Sequence, residues 1–201
     1  MNELRRESCS MFRASSSLLD VTVLHHFELA LRALSDACER HRVARAERDA
    51  GTAHASAVEA VWWVCALDEQ FEGGNDLGHA TAYEKARDSD ASGAGIRGLR
   101  WVRDRHSHQL LLSTDFDDRA FFDSSDGSLF YLSRGFYWRP AEQLEAQAAS
   151  YRTTRFLAGK KASQGRAAYD QHISGRTSSG PLHSAQTWLT AVVAGHRRLS
   201  P

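Results

Sequence analysis

The sequence predicts an all-α class, a mostly helical bundle with one small β-hairpin inserted into it. Three observations carry that expectation. Apolar residues recur at three- and four-residue steps over several long stretches, the period of a helix with one buried face. Helix punctuation stands at the ends of such stretches, with Gly51 and Gly159 as stops and Pro140 as an opener. One short segment, LFYLSRGFYWR, is dense in β-forming aromatics instead.

In chain order, residues 1–17 are polar and Ser-rich and read as a flexible N-terminal segment, and 18–201 as a single helical-bundle domain. A first helix spans about 17–48, with Leu24, Phe27, Leu31, Leu34 and Cys38 as its stripe. Thr52 is placed to cap a second helix over about 53–71. Val58, Val61, Trp62, Val64, Cys65 and Leu67 make that helix apolar nearly all round, as a central helix is. Residues 73–76 form a loop, 77–87 a shorter helix, and 89–93 a second break. Residues 94–113 form a third main helix, burying Ile96, Leu99, Val102, His106 and Leu110. The acidic stretch 115–126 reads as irregular, and the hairpin occupies about 128–139, turning at Ser133-Arg134-Gly135. Helices over about 141–158, 162–174 and 181–197 complete the chain.

Composition narrows the function. The 201 residues carry 25 basic and 25 acidic side chains, with 42% hydrophobic and 25% charged residues. These proportions argue against collagen-like, wholly disordered and membrane-spanning classes. No window holds the roughly 18 apolar residues of a membrane span, and the N-terminus lacks the apolar core of a secretory signal. Cys9, Cys38 and Cys65 are too widely and irregularly spaced for a disulfide framework or a zinc motif, so a cytoplasmic protein is expected.

The zero net charge is a cancellation between segments. Residues 68–94 carry seven acids against two bases, and 115–149 seven against three. Residues 95–114 carry four bases against one acid, and 150–201 eight against one. A neutral chain so divided still presents a local positive field to a polyanion.

Several motifs fail on chemistry. Gly159-Lys160-Lys161 lacks the upstream glycine and the hydroxyl of a phosphate loop. The run from Asp123 to Gly127 lacks the alternating ligands of a calcium loop. Adjacent His25 and His26 point about 100° apart on a helix and cannot share a metal. No metal or cofactor is expected.

What remains is the run from Arg100 to His108, RWVRDRHSH. The spacing Arg-x(4–6)-His occurs at five Arg/His pairs in the chain. Asp104 directly after the Arg, apolar flanks and the helical setting single out Arg103 and His108. This segment resembles the Arg-x(4–6)-His signature of the HEPN superfamily, all-α domains many of which are metal-independent ribonucleases of toxin–antitoxin and phage-defence systems. The resemblance implies a composite site facing another across a homodimer, RNA as substrate, and an antitoxin-like protein as a possible partner. It implies His108 as general acid or base, Arg103 as phosphate clamp and Asp104 as the residue orienting one of them. Arg100, Arg105 and His106 would add substrate contacts. The chemistry suits the residues, since His titrates near neutrality and Arg offers planar paired donors to phosphate.

Other assignments stay open on the residues alone. An Arg100–Asp104 pair at i, i+4 is also ordinary helix-surface electrostatics. A non-catalytic helical interaction protein and a non-cleaving nucleic-acid binder are the alternatives. The hairpin aromatics beside Arg134 and Arg139 suit either base stacking or a cross-strand cluster. Asp68-Glu69, at the end of the second helix, is placed to meet the arginine-rich helix as a salt-bridge network or as an orienting carboxylate.

Overall fold

The computed structural model describes residues 21–73, 77–109, 113–122, 129–149 and 160–197, with side chains over 25–73, 80–105, 113–117, 135–147 and 162–195. The expected flexible segment 1–17 and the helix ends assigned to 110–112 and 150–158 lie outside them, and Ser113, assigned to the third helix, is instead non-helical and leads directly into the first strand. The described residues form α1 (Val21–Glu47), α2 (Ala50–Glu72), α3 (Leu77–Ser89), α4 (Ile96–Gln109), β1 (Thr114–Phe122), β2 (Leu129–Trp138), α5 (Ala141–Ala149), α6 (Lys160–His172) and α7 (Ser179–Arg197). A mostly α-helical fold with one two-stranded antiparallel sheet is therefore what the chain adopts.

Helix α2 is central, packing on α1, α3, α4, α7 and β1. Ala57, Ala60, Val61, Val64, Cys65, Leu67 and Phe71 are buried along it. From α1, Phe27, Leu34, Ala37, His41 and Ala44 recur at steps of seven, three, four and three residues, one face of a helix, against α2. Phe27 stacks on Phe71 with ring centroids 4.6 Å apart. Ile96, Leu99 and Val102 of α4 are buried as the periodicity predicts, and so is Trp101.

Two boundary expectations need correction. Helix α1 ends at Glu47 with Arg48 in the left-handed region at φ 61°, and Gly51 lies in the first turn of α2 instead of stopping α1. The N-cap of α2 is Asp49, not Thr52. Its carboxylate accepts from the Thr52 amide at 3.0 Å and from the Thr52 hydroxyl at 2.6 Å, satisfying donors that a helix start leaves open.

The hairpin differs more. Residues 129–138 are one strand, and their partner is the acidic segment that the sequence marks as irregular. Thr114 pairs with Trp138 and Phe116 with Phe136, while Ser133, Arg134 and Gly135 lie inside β2 rather than at a turn. The physical reason is alternation. Asp115 and Asp117 face solvent while Phe116 between them turns inward and meets Phe136 at 5.7 Å. Period-two patterning outweighs the poor strand propensity of Asp, and charge on an edge strand guards it against further pairing.

The other edge of β2 is covered as well. Ser178 donates its amide to the Phe136 carbonyl at 2.8 Å, Trp138 donates to the Arg176 carbonyl at 3.0 Å, and Gly175 donates to Trp138 at 3.0 Å. Phe136, Tyr137 and Trp138 are consequently buried and closed to base stacking.

Among the described residues, no helix is long and apolar enough to cross a membrane.

Candidate active site

Helix α4 has two working sides. One faces α2 and its carboxylates; the other faces α5 and α6. On the α2 side the sequence expectation that Asp68 and Glu69 meet the arginine helix is realised. Arg100 donates to Asp68 at 3.1 Å, pairs closely with Glu72, and lies 3.7 Å from Glu69. It turns to these α2 carboxylates, inward from the surface pair with Asp104 that its spacing also allows.

Asp68 is fully buried, and its other partners come from α3. Arg87, itself only 1% exposed, donates to both carboxylate oxygens at 3.0 and 2.9 Å, and the Tyr83 hydroxyl donates at 2.8 Å. Burying a carboxylate is costly unless it is paired and hydrogen-bonded, and Asp68 is both. Neither Arg87 nor Tyr83 carries a local sequence signal for this role, because the pairing joins helices nearly 20 residues apart in the chain.

Arg103 is held from three directions. Its Nη1 donates to Glu69 at 2.6 Å, and its Nε and Nη2 donate to one oxygen of Asp104 at 3.1 and 2.8 Å. Its guanidinium carbon stands 5.8 Å from the ring centre of Trp62, whose side is exposed to solvent. A planar group with this many directional contacts has a defined orientation. Asp104 is about half exposed. Position 108 follows Asp104 by one helical turn, so the two share a face of α4. Arg103 alone would stand about 140° from position 108 around the helix; its reach to Asp104 brings the guanidinium to the His108 side. The side chains of His106, His108 and Leu110 lie outside the described residues.

Arg105 takes the other side. Its guanidinium lies 3.6 Å from the Trp101 ring centre, and Nη2 is 3.7 Å from Glu145 of α5. It is 5% exposed, and its Nε and Nη1 have no hydrogen-bond partner among the described residues. Burial pulls its pKa down while Glu145 pushes it up. Arg103 and Arg105 therefore do not act on one ligand in this arrangement.

Among the described residues the cysteines are closed as nucleophiles. Burial pushes the Cys38 thiol up to about 11 and the Cys65 thiol well up too, so neither is a thiolate at neutral pH. His41 makes a hydroxyl–imidazole pair with Ser178, Nε2 to Oγ at 2.8 Å. Its Nδ1 lies 2.8 Å from the Ala53 carbonyl, so Nδ1 carries the proton and Nε2 accepts from Ser178. Both residues are buried, so the pair clamps α1 to α2 and the α6–α7 connection and meets no substrate. A separate cleft of about 500 Å³ lies between the α3–α4 turn and the start of α7, lined by Tyr137, His172, Arg176 and Ser184 among others. Among the described residues no group of three His, Cys, Asp or Glu side chains is placed to hold a metal.

No known family model, curated protein or solved structure matches this chain. What α4 offers chemically is an oriented guanidinium and an exposed carboxylate, one turn before a histidine position. Trp62, Glu72, Tyr83 and Arg87 are the contributors that motif spacing did not single out. For Trp62 a signal existed, since Trp62 and Trp63 are adjacent and about 100° apart on a helix, which favours one ring facing outward.

Proposed function

We propose that this chain is a HEPN-like, metal-independent endoribonuclease that works as a homodimer in a toxin or phage-defence setting. The observation supporting the reading is Asp104, exposed on α4, accepting two N–H bonds from Arg103 and standing one turn before His108. In the proposed reaction His108 takes the proton of an RNA 2′-hydroxyl. The 2′-oxygen bonds to the adjacent phosphorus, the bond from phosphorus to the 5′-oxygen breaks, and that oxygen takes a proton from His108 of the partner subunit. The products are a 2′,3′-cyclic phosphate and a 5′-hydroxyl. Arg103 stabilises charge on the phosphate, a role for which a fixed donor is suited because it needs no reorientation during reaction. Asp104 keeps that guanidinium in place, Arg100 supports it from behind through Glu69, and His106 extends the substrate surface, whereas Arg105, buried against Trp101 on the other side of α4, takes no part.

The test is cleavage of RNA by the purified chain. His108→Ala and Arg103→Ala are each expected to lower the rate by at least a hundredfold, with circular dichroism unchanged. Equal cleavage by parent and variants sinks the proposal.

A second reading has its own support. Asp68, Glu69 and Glu72 surround Arg100 inside the bundle, as in a purely structural network. On that reading the chain is a non-catalytic helical interaction protein, RNA is untouched by the parent, and His108→Ala leaves partner binding intact.

A further inference from the structure

Helix α2 is buried over most of its length, yet Trp62 in its middle is 46% exposed while Val61, Val64 and Cys65 around it are inaccessible. Trp63 turns inward and packs against the core. Of the large apolar side chains exposed among the described residues, Leu29 and Val43 are aliphatic, and Trp62 is the one that offers a ring face. It is also placed beside a cation: the Arg103 guanidinium lies 5.8 Å from its ring centre and is anchored beyond it by Glu69 at 2.6 Å.

We propose that Trp62 is a stacking platform for an unpaired nucleobase of single-stranded RNA, next to the phosphate-facing Arg103. The inference rests on the proposed reaction only in naming RNA as the strand. Each nucleotide carries a flat base and a neighbouring phosphate, and the surface here pairs a flat indole with a neighbouring guanidinium. Stacking on an aromatic ring is tolerant of base identity because every base has a π-face. Glu69 and Asp104 offset the charge of Arg103, so at this place the base contact supplies affinity that ordinary phosphate contacts supply elsewhere. A stack releases no counterions, so this share of the affinity is insensitive to salt.

The experiment uses the full chain carrying His108→Ala, so that RNA survives, and a short fluorescein-labelled polyuridine as probe. Fluorescence anisotropy is expected to show about tenfold weaker binding for Trp62→Ala, and Trp62→Phe within about threefold of its parent, since Phe keeps a ring. The tenfold ratio should be the same at low and high salt. Equal binding by Trp62→Ala and its parent overturns the platform, as does a parent that does not bind the probe. So does a Trp62→Ala chain that elutes as a smaller species than its parent, because the indole is then covered by a second copy. Cleavage by the chain with His108 intact is scored separately. Absence of His108-dependent cleavage removes the nuclease reading, and a Trp62-dependent stack still stands; cleavage with unaltered Trp62→Ala binding does the reverse.

Discussion

Asp68 concentrates more structural consequence than any other single side chain of the candidate site. It is buried without exposure and accepts from Tyr83, Arg87 and Arg100, thereby tying α2, α3 and α4 together. Replacing it with Asn keeps the shape but removes the charge, leaving Arg87 buried with no neutralising partner on that side. Breaking a buried pair in this way costs about 3–5 kcal/mol. Urea unfolding of Asp68→Asn is expected to show an unchanged slope and a midpoint lowered by that loss divided by the slope, and a loss below about 1 kcal/mol would mean that Arg87 relaxes to Asp88, which already accepts from its Nε at 2.9 Å. Arg100→Met is expected to cost less. Arg100 is a quarter exposed, and its Coulomb gain is screened by water.

At the scale of elements, the crossing of α4 and α6 depends on glycine. A methyl at Gly98 would stand 2.8 Å from the backbone nitrogen and Cα of Tyr169 and 2.8 Å from Ile173 Cδ1. A backbone atom cannot swing aside as a side chain can, so Gly98→Ala must part the helices. It is expected to destabilise by about 1–3 kcal/mol despite the better helix propensity of Ala, read as a lowered thermal midpoint. Gly165→Ala meets Trp101 Cβ at 3.0 Å and should cost less. The helices themselves were legible because their signal is local: Ile96, Leu99 and Val102 mark the buried side of α4, and Pro140 and the apolar spacing mark α5. The sheet was not. Asp115, Asp117 and Asp118 in β1 carry turn propensity, and pairing with a strand that starts some seven residues beyond its end is a tertiary choice. The arginine-rich motif was legible as a run of residues on one helix. That Arg103 and Arg105 face opposite partners, Glu69 and Glu145, follows only from where α2 and α5 pack.

Across the described part of the molecule, three histidines held below their ordinary pKa are expected to set the acid sensitivity. Burial pushes His41, His54 and His172 below their ordinary value of 6.5. For His41 the Ala53 carbonyl opposes the shift and Arg45 and His54 reinforce it; for His54 Arg139 reinforces it, and for His172 Arg176 does. A base with a lowered pKa binds its proton more readily when unfolded. The unfolded chain therefore takes up more protons between 6.5 and each folded value, and stability falls as pH drops through that window. Above it the contribution is complete. The structural consequence is specific, because protonating His41 turns Nε2 from acceptor to donor, forces the Ser178 hydroxyl to turn and accept, and leaves a charge in a buried site, which opposes the clamp between α1 and the residue before α7. Thermal midpoints measured from about pH 7.5 down to about pH 5 should fall steadily, with carboxylates still ionised over most of that range. His41→Gln lowers stability at neutral pH but flattens the slope, since its amide does not titrate. A parent profile that is flat over this interval, or a His41→Gln profile as steep as the parent's, would show that the buried histidines do not govern the acid limb.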